Sequence, residues 1–199
     1  LHNKTNNEVS ANIQILVPRW ELCRIRNITG NASVTRLITS SGEADTPIKH
    51  LNGALYFGTY DAYGCYLKFL PEEYTLSRCN PNAGDGFYWA GMTQINVSGK
   101  EYLICGSELG IIYLMDEKDS FSSIGGQPVK AIPLSDYIEN AGAVHSSICQ
   151  FGDYIYFTSE NGYLWRGEIK TFSGEKPQFE YLKLSGNSSS TPTVTGNYV

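Results

Sequence analysis

Three stretches of the chain share one layout. The first is TPIKHL, the turn NG, ALYFGTY, the turn DAYG and CYLKFL (46–70). The second is MTQINV, the turn SGK, EYLICGS, the turn ELG and IIYLMDE (92–117), and the third is HSSICQ, the turn FGD, YIYFTS, the turn ENG and YLWRGEI (145–169). A fourth copy opens with TPTV, the turn TGN and YV (191–199). The first-turn glycines Gly53, Gly99, Gly152 and Gly196 are separated by 46, 53 and 44 residues, a repeat with insertions rather than a fixed period. Strand-sized runs joined by turns this short leave no room for a crossover helix, so each copy has to be an antiparallel meander.

A fourth strand follows by a longer link. In the third unit it is QFEYLKL (178–184), reached through KTFSGEKP; near the N-terminus it is VTRLIT (34–39), reached from WELCRIR through NITGNAS. Trp20 and Trp165 each lie 26 residues before a Thr-Pro pair, which ties the N-terminal unit to the third. The expected fold is all-β, a β-propeller of four-stranded antiparallel blades, because one small twisted sheet cannot bury both faces alone and sheets stacked radially can. The chain then divides, as one domain over 1–199, into a partial blade (1–40), blades over 41–87, 88–140 and 141–187, and the start of another over 188–199. Two closures fit: a fragment of a larger propeller, or a four-bladed ring whose last strands complete the N-terminal blade. A chain stopping inside a strand would leave an unpaired edge, which favours the fragment. Alternating aromatics such as Tyr154 and Tyr156, Tyr56, and the Tyr102/Ile104 pair are expected to fill the layers between blades.

Composition agrees and narrows the function. Charged residues make up 18% while 14 Tyr, 8 Phe and 20 Gly favour sheet and tight turns. A net charge of −5, with no long Lys/Arg cluster, excludes a nucleic-acid partner. The longest apolar runs, such as GIIYLM (110–115), are strand-sized, so no membrane span is expected. The chain opens at LHNKTNNEV without Met or an apolar leader, and any targeting segment is expected to have been removed or to lie outside it. Five N-x-Ser/Thr sequons, at Asn3, Asn27, Asn31, Asn96 and Asn187, suit an exported glycoprotein, extracellular or in the cell envelope. The five cysteines, Cys23, Cys65, Cys79, Cys105 and Cys149, contain no C-x-x-C pair, so zinc is not expected. Cys65 and Cys79 close a short loop where a disulfide would be worth about 3 kcal/mol. Cys105 and Cys149 sit in strand-like runs as small buried thiols.

The stretch ENGYLWRGEIKTFSGEKPQFEYLKLSGNSSSTPTVTGNYV (160–199) resembles the junction between two blades of pyrroloquinoline-quinone-type (PQQ-like) propellers. Ser190-Thr191-Pro192, Gly196, Tyr198 and Ser173-Gly174 match the family's places, and Asp45-Thr46-Pro47, Gly53 and Tyr56 match them again. The likeness covers about 40–199, more loosely 9–40. Enzymes of that family carry a Trp in the outer-strand docking motif, where Phe179 stands here, and some quinone dehydrogenases carry a vicinal Cys pair that this chain lacks. The resemblance therefore implies the non-enzymatic surface or scaffold type.

Candidate site residues follow from the repeat. His145 precedes Gly152 by seven residues, as Thr46 precedes Gly53 and Met92 precedes Gly99, so the three are expected near the axial channel. His50 falls nearer the turn with no visible partner. The loop CNPNAGDGFYW (79–89) is the least repeat-like: Asn80, Asn82 and Asp85 offer oxygen ligands for calcium and Trp89 offers a face for a sugar ring, against the reading of an ordinary Asx/Gly turn. Glu72-Glu73 and Asp116-Glu117 read as solvated turns. No nucleophile-elbow, phosphate-loop or H-E-x-x-H motif is present. The expected function is a cell-surface binding or scaffold module without catalysis or cofactor, its partner a protein or a carbohydrate, or the rest of a larger propeller. The alternative is an enzyme, a quinone-dependent oxidoreductase or a carbohydrate-active propeller, for which calcium or PQQ would be needed.

Overall fold

The computed structural model describes residues 44, 46–60, 64–81, 84–196 and 198–199, together with the backbone of three strands, Ala11–Ile15 (β1), Glu21–Arg26 (β2) and Ser33–Thr39 (β3). Those three form one antiparallel sheet in chain order. Three four-stranded antiparallel sheets follow, each also in chain order. The first holds Lys49–Leu51 (β4), Ala54–Gly58 (β5), Tyr66–Leu70 (β6) and Thr75–Cys79 (β7). The second holds Thr93–Val97 (β8), Lys100–Cys105 (β9), Ile111–Met115 (β10) and Lys130–Pro133 (β11). The third holds Cys149–Phe151 (β12), Tyr154–Ser159 (β13), Tyr163–Glu168 (β14) and Phe179–Lys183 (β15). Two short 3-10 turns, Leu134–Asp136 and Ile169–Ser173, are the helical pieces among the described residues.

The sheets pack face to face, which is why their middle strands read as unbroken apolar runs. On β10, Ile111, Tyr113 and Met115 point toward the first sheet, where they meet Ala54, Tyr56, Tyr66 and Cys79. Ile112 and Leu114 point the other way, to Ile155, Phe157 and Trp165 of the third sheet. A strand buried on both faces needs no polar alternation. On β5 the same parity sends Leu55 and Phe57 to a further cluster with Cys65, Leu67 and Phe69. The first strands of successive sheets lie innermost. The Thr93 hydroxyl on β8 donates to the Ile148 carbonyl beside β12, and the Ser147 N–H donates to Thr191 Oγ1 at 2.9 Å. A Cβ added at Gly91 would collide with Ser147 Oγ and touch Pro47 Cγ at 3.4 Å, so three inner approach segments converge there. These are the blades of a β-propeller.

The inner strands are shorter than their sequence suggests. β4 begins at Lys49, not Thr46, because Pro47 has no N–H to give a ladder and Thr46 uses its hydroxyl to accept from the Gly58 N–H at 2.6 Å. β12 likewise begins at Cys149, not His145. TPTV (191–194) forms no strand; only an isolated Thr195–Tyr198 bridge closes the turn beyond it. Tyr154 and Tyr156 do not fill the layer against the second sheet, which takes Ile155 and Phe157 instead. Tyr56 and Ile104 do lie in inter-sheet layers.

Candidate functional site

Counted from the turn glycine, β12 starts one residue nearer the turn than β4 does, and the cause is local. Val97 pairs with Lys100 and Leu51 with Ala54, so the loops are Ser98-Gly99 and Asn52-Gly53, with both central residues at positive φ as a type I′ turn requires. Phe151 pairs with Tyr154, so the third loop is Gly152-Asp153, with Gly152 first. Counting back from the turn glycine therefore slips by one. The residue equivalent to Thr46 is Ser146, whose Oγ accepts from the Thr158 N–H at 2.9 Å as Thr46 accepts from Gly58. His145 is thereby moved off the inner strand to the end of the sheets where the loops β5–β6, β7–β8, β9–β10, β11–β12 and β13–β14 gather.

That end is held by a belt of backbone hydrogen bonds running from sheet to sheet. Phe87 N–H donates to Thr59 O (3.1 Å), Glu108 to Gly86 (2.9 Å), Val144 to Ser107 (2.9 Å), Glu160 to Ala143 (2.8 Å) and Ser188 to Glu160 (3.3 Å). Asp85 fastens the belt from beneath. It is fully buried; Oδ1 accepts from the Gly86 N–H (2.8 Å) and the Leu109 N–H (3.0 Å), and Oδ2 accepts from the Tyr113 hydroxyl (2.7 Å). A carboxylate whose two oxygens already take three donors is not placed to ligate calcium, and no group of three or more His, Cys, Asp or Glu among the described residues could hold a metal. Asn82 lies outside the described residues, and the Asn80 carbonyl accepts from the Gln127 amide at 2.8 Å.

On this base stands an aromatic cluster. Trp89 stacks on Tyr88 with centroids 4.2 Å apart and planes 26° from parallel, and Tyr88 leans on Tyr60 at 5.2 Å. The imidazole of His145 meets both Tyr88 (5.3 Å) and Trp89 (6.2 Å) edge-on. Its Nε2 lies 2.8 Å from Glu108 Oε1, a close contact between two atoms sealed from solvent. Burial, opposed by His145 and reinforced by Asp85 and Glu160, raises the Glu108 carboxyl above the usual range. Trp89 is 49% exposed and sits at φ 56°, a left-handed backbone that a bulky residue adopts only when its surroundings impose it. Asp85 four residues before it, and Ala90 just after it, whose carbonyl accepts from the Tyr66 hydroxyl at 2.9 Å, supply that constraint. Tyr88, Trp89, His145, Glu160 and Asn187–Ser189 together line a cleft of about 310 Å³.

Of the residues singled out in the sequence, Trp89 and His145 meet in this cluster and Asp85 supports it. Thr46 and Met92 are buried, one in the Gly58 hydrogen bond, the other in the layer between the first and second sheets. His50 lies exposed on β4. Tyr60, Tyr88 and Glu108 were missed; each sits in a turn at the same end of its meander, a topological signal that becomes readable once the strands are numbered. The disulfide that the spacing of Cys65 and Cys79 allows is not formed between them. Tyr66 pairs with Cys79, so Cys65 falls on the opposite face: Cys65 packs with Leu67 and Phe69, and Cys79 with Tyr66 and Cys105. Burial and the neighbouring Cys65 push the Cys79 thiol up to about 12, and burial raises Cys105 well above its ordinary value, which makes both inert. Cys149, expected to be buried, is half-exposed. Asp116 is not a solvated turn residue: it is buried and paired with Lys100 at 2.7 Å. Asn96 and Asn187 are exposed; Asn3, Asn27 and Asn31 lie outside the described residues. Among the described residues no helix is long and apolar enough to cross a membrane.

No protein-family model matches the chain, and no curated protein matches it. Among solved structures, that of BamB from Moraxella catarrhalis is similar at 10% identity and a TM-score of 0.40, over 92% of this chain and 70% of that one.

Proposed function

We propose that the chain is a non-catalytic binding module, a PQQ-like propeller of the cell envelope or the extracellular space, that presents one end of its sheets to a protein or carbohydrate partner. The observation that carries this reading is the aromatic cluster of Tyr60, Tyr88, Trp89 and His145, which exposes Tyr60 and Trp89 and is held rigid by the buried Asp85 and the inter-sheet hydrogen-bond belt. Leu109, 57% exposed beside Asp85 in the β9–β10 loop, extends the apolar surface. Large exposed aromatics on a rigid frame are what recognition surfaces use, since little side-chain freedom is lost on binding. The mechanism is therefore presentation of fixed side chains, with neither calcium nor PQQ required. A second exposed apolar region, the outer face of β12–β15 with Phe151 and Leu182, is the surface that a further sheet of a larger propeller would cover.

The test is site-specific photo-crosslinking in the cell of origin, with the probe placed at Leu109 on the cluster end or at Lys118 in the turn after β10 on the opposite end. Adducts that form from position 109 and not from 118 are expected. Equal adducts from both ends, or from 118 alone, would move the recognition surface elsewhere.

A further inference from the structure

We propose that the cleft between Trp89 and Ser188 binds one uncharged pyranose ring of an oligosaccharide, an assignment that rests on the binding-module reading above. An indole has two faces. Tyr88 takes one of them in the 4.2 Å stack, while Trp89 keeps 49% of its surface exposed, leaving an aromatic plane for the C–H face of a sugar. The rest of the lining is polar, Glu160, Asn187, Ser188 and Ser189, residues whose side chains carry the donors and acceptors that the equatorial hydroxyls at a ring's rim require. An aromatic floor opposed by a few converging polar groups is a ligand-site composition, and a volume of about 310 Å³ is at the small end of such sites, suited to a single ring.

Backbone strain supports the same assignment. Trp89 is kept at φ 56°, where glycine would be relaxed, and the hydrogen bonds of Asp85 and Ala90 on either side maintain it there. Nothing in the packing needs an indole at that position, because half of it faces solvent. Charge sets the class of sugar: Glu160 lines the cleft, Glu108 lies behind His145, and the chain carries a net charge of −5, so a sialic or uronic acid would be repelled.

The experiment is ¹⁵N NMR of the indole N–H signals, on chain made in a host that does not glycosylate it, titrated with cellotriose, maltotriose and chitotriose, and with sialyllactose as the anionic comparison. The Trp89 signal, identified by its loss in Trp89→Phe, should move with at least one neutral trisaccharide and saturate with a Kd of about 1 mM, as expected for one ring. Sialyllactose should shift it less. In the variants binding is read by the backbone N–H signals of Ser188 and Ser189: Trp89→Gly should abolish it with the thermal midpoint kept, Asn187→Ala should weaken it several-fold, and Ile124→Ser, on a 91% exposed side chain away from the cleft, should bind like the parent. The assignment is overturned if no neutral trisaccharide moves the Trp89 signal at about 20 mM, or if Trp89→Gly binds as the parent does. Silent sugars together with a protein crosslinked through Leu109 would discard the sugar and keep the binding module; silence in both experiments would discard both.

Discussion

The two layers between the described blades are built from different chemistry. The layer between the second and third sheets is hydrocarbon: Ile95, Ile104, Ile112, Leu114, Ile155 and Phe157 surround Trp165, whose indole N–H reaches Ser159 Oγ at 2.9 Å. The layer between the first and second sheets is rich in tyrosines and sulfur, with Tyr56, Tyr66, Tyr113, Cys79, Cys105, Met92 and Met115. A buried tyrosine hydroxyl needs a partner, and two of these find theirs in the loop that carries Trp89: Tyr66 on Ala90, Tyr113 on Asp85. The hydrocarbon layer supplies stability alone. The tyrosine layer also anchors the candidate site, so the two are separable by mutation.

Trp165→Ala should have the largest effect, about 3–5 kcal/mol lost in urea unfolding, since it opens a cavity in a layer with nothing to refill it. It should leave the environment of Trp89, read by its indole NMR signal, unchanged. Asp85→Ala is expected to cost about 2–4 kcal/mol by stranding the Tyr113 hydroxyl and two N–H groups, and unlike the first variant it should also disturb the Trp89 signal. If both variants disturb Trp89 equally, the layers are not separable. Gly91→Ala, at the convergence of the inner segments, should cost about 1–3 kcal/mol through the clash with Ser147, and Ser147→Gly should restore part of it in a double-mutant cycle.

The smallest effects are on pH dependence, and they have opposite signs at the two ends of the sheets. Asp116 loses stabilisation by burial but gains more from Lys100 and the Asp119 and Lys118 N–H groups, which hold its carboxyl below the usual range. Its contribution is therefore present above the ordinary Asp value and lost as pH falls through the lowered one; Lys100→Met should flatten that acid limb in a series of thermal melts. Glu108, with its carboxyl raised, contributes stability below the ordinary Glu value that is lost as pH rises through the raised one. Glu108→Gln should flatten that second limb and leave the first untouched.

How far each feature could be read follows from how local its cause is. Meanders, hairpins and the strands Tyr66–Leu70, Ile111–Met115 and Tyr163–Glu168 are dictated by short-range patterns, and all were legible. The outer strand Phe179–Lys183 was placed within a residue at each end. The inner strands were read too long because Thr46 and Ser146 satisfy backbone groups with their side chains, which no β-propensity records. Trp89 and His145 could be named as candidates, but not as neighbours.

The amino-acid order alone determined that this chain makes successive small antiparallel sheets, because strand length, turn chemistry and hydrophobic run length act over a few residues. Only tertiary packing decided which faces meet, that Cys65 and Cys79 part to opposite sides of one sheet, and that residues 60, 88–89, 108, 145 and 187–189 converge. Register and inter-sheet contact join residues far apart in the chain, and a glycine that moves by one place within a two-residue loop is enough to hide the equivalence of Ser146 to Thr46.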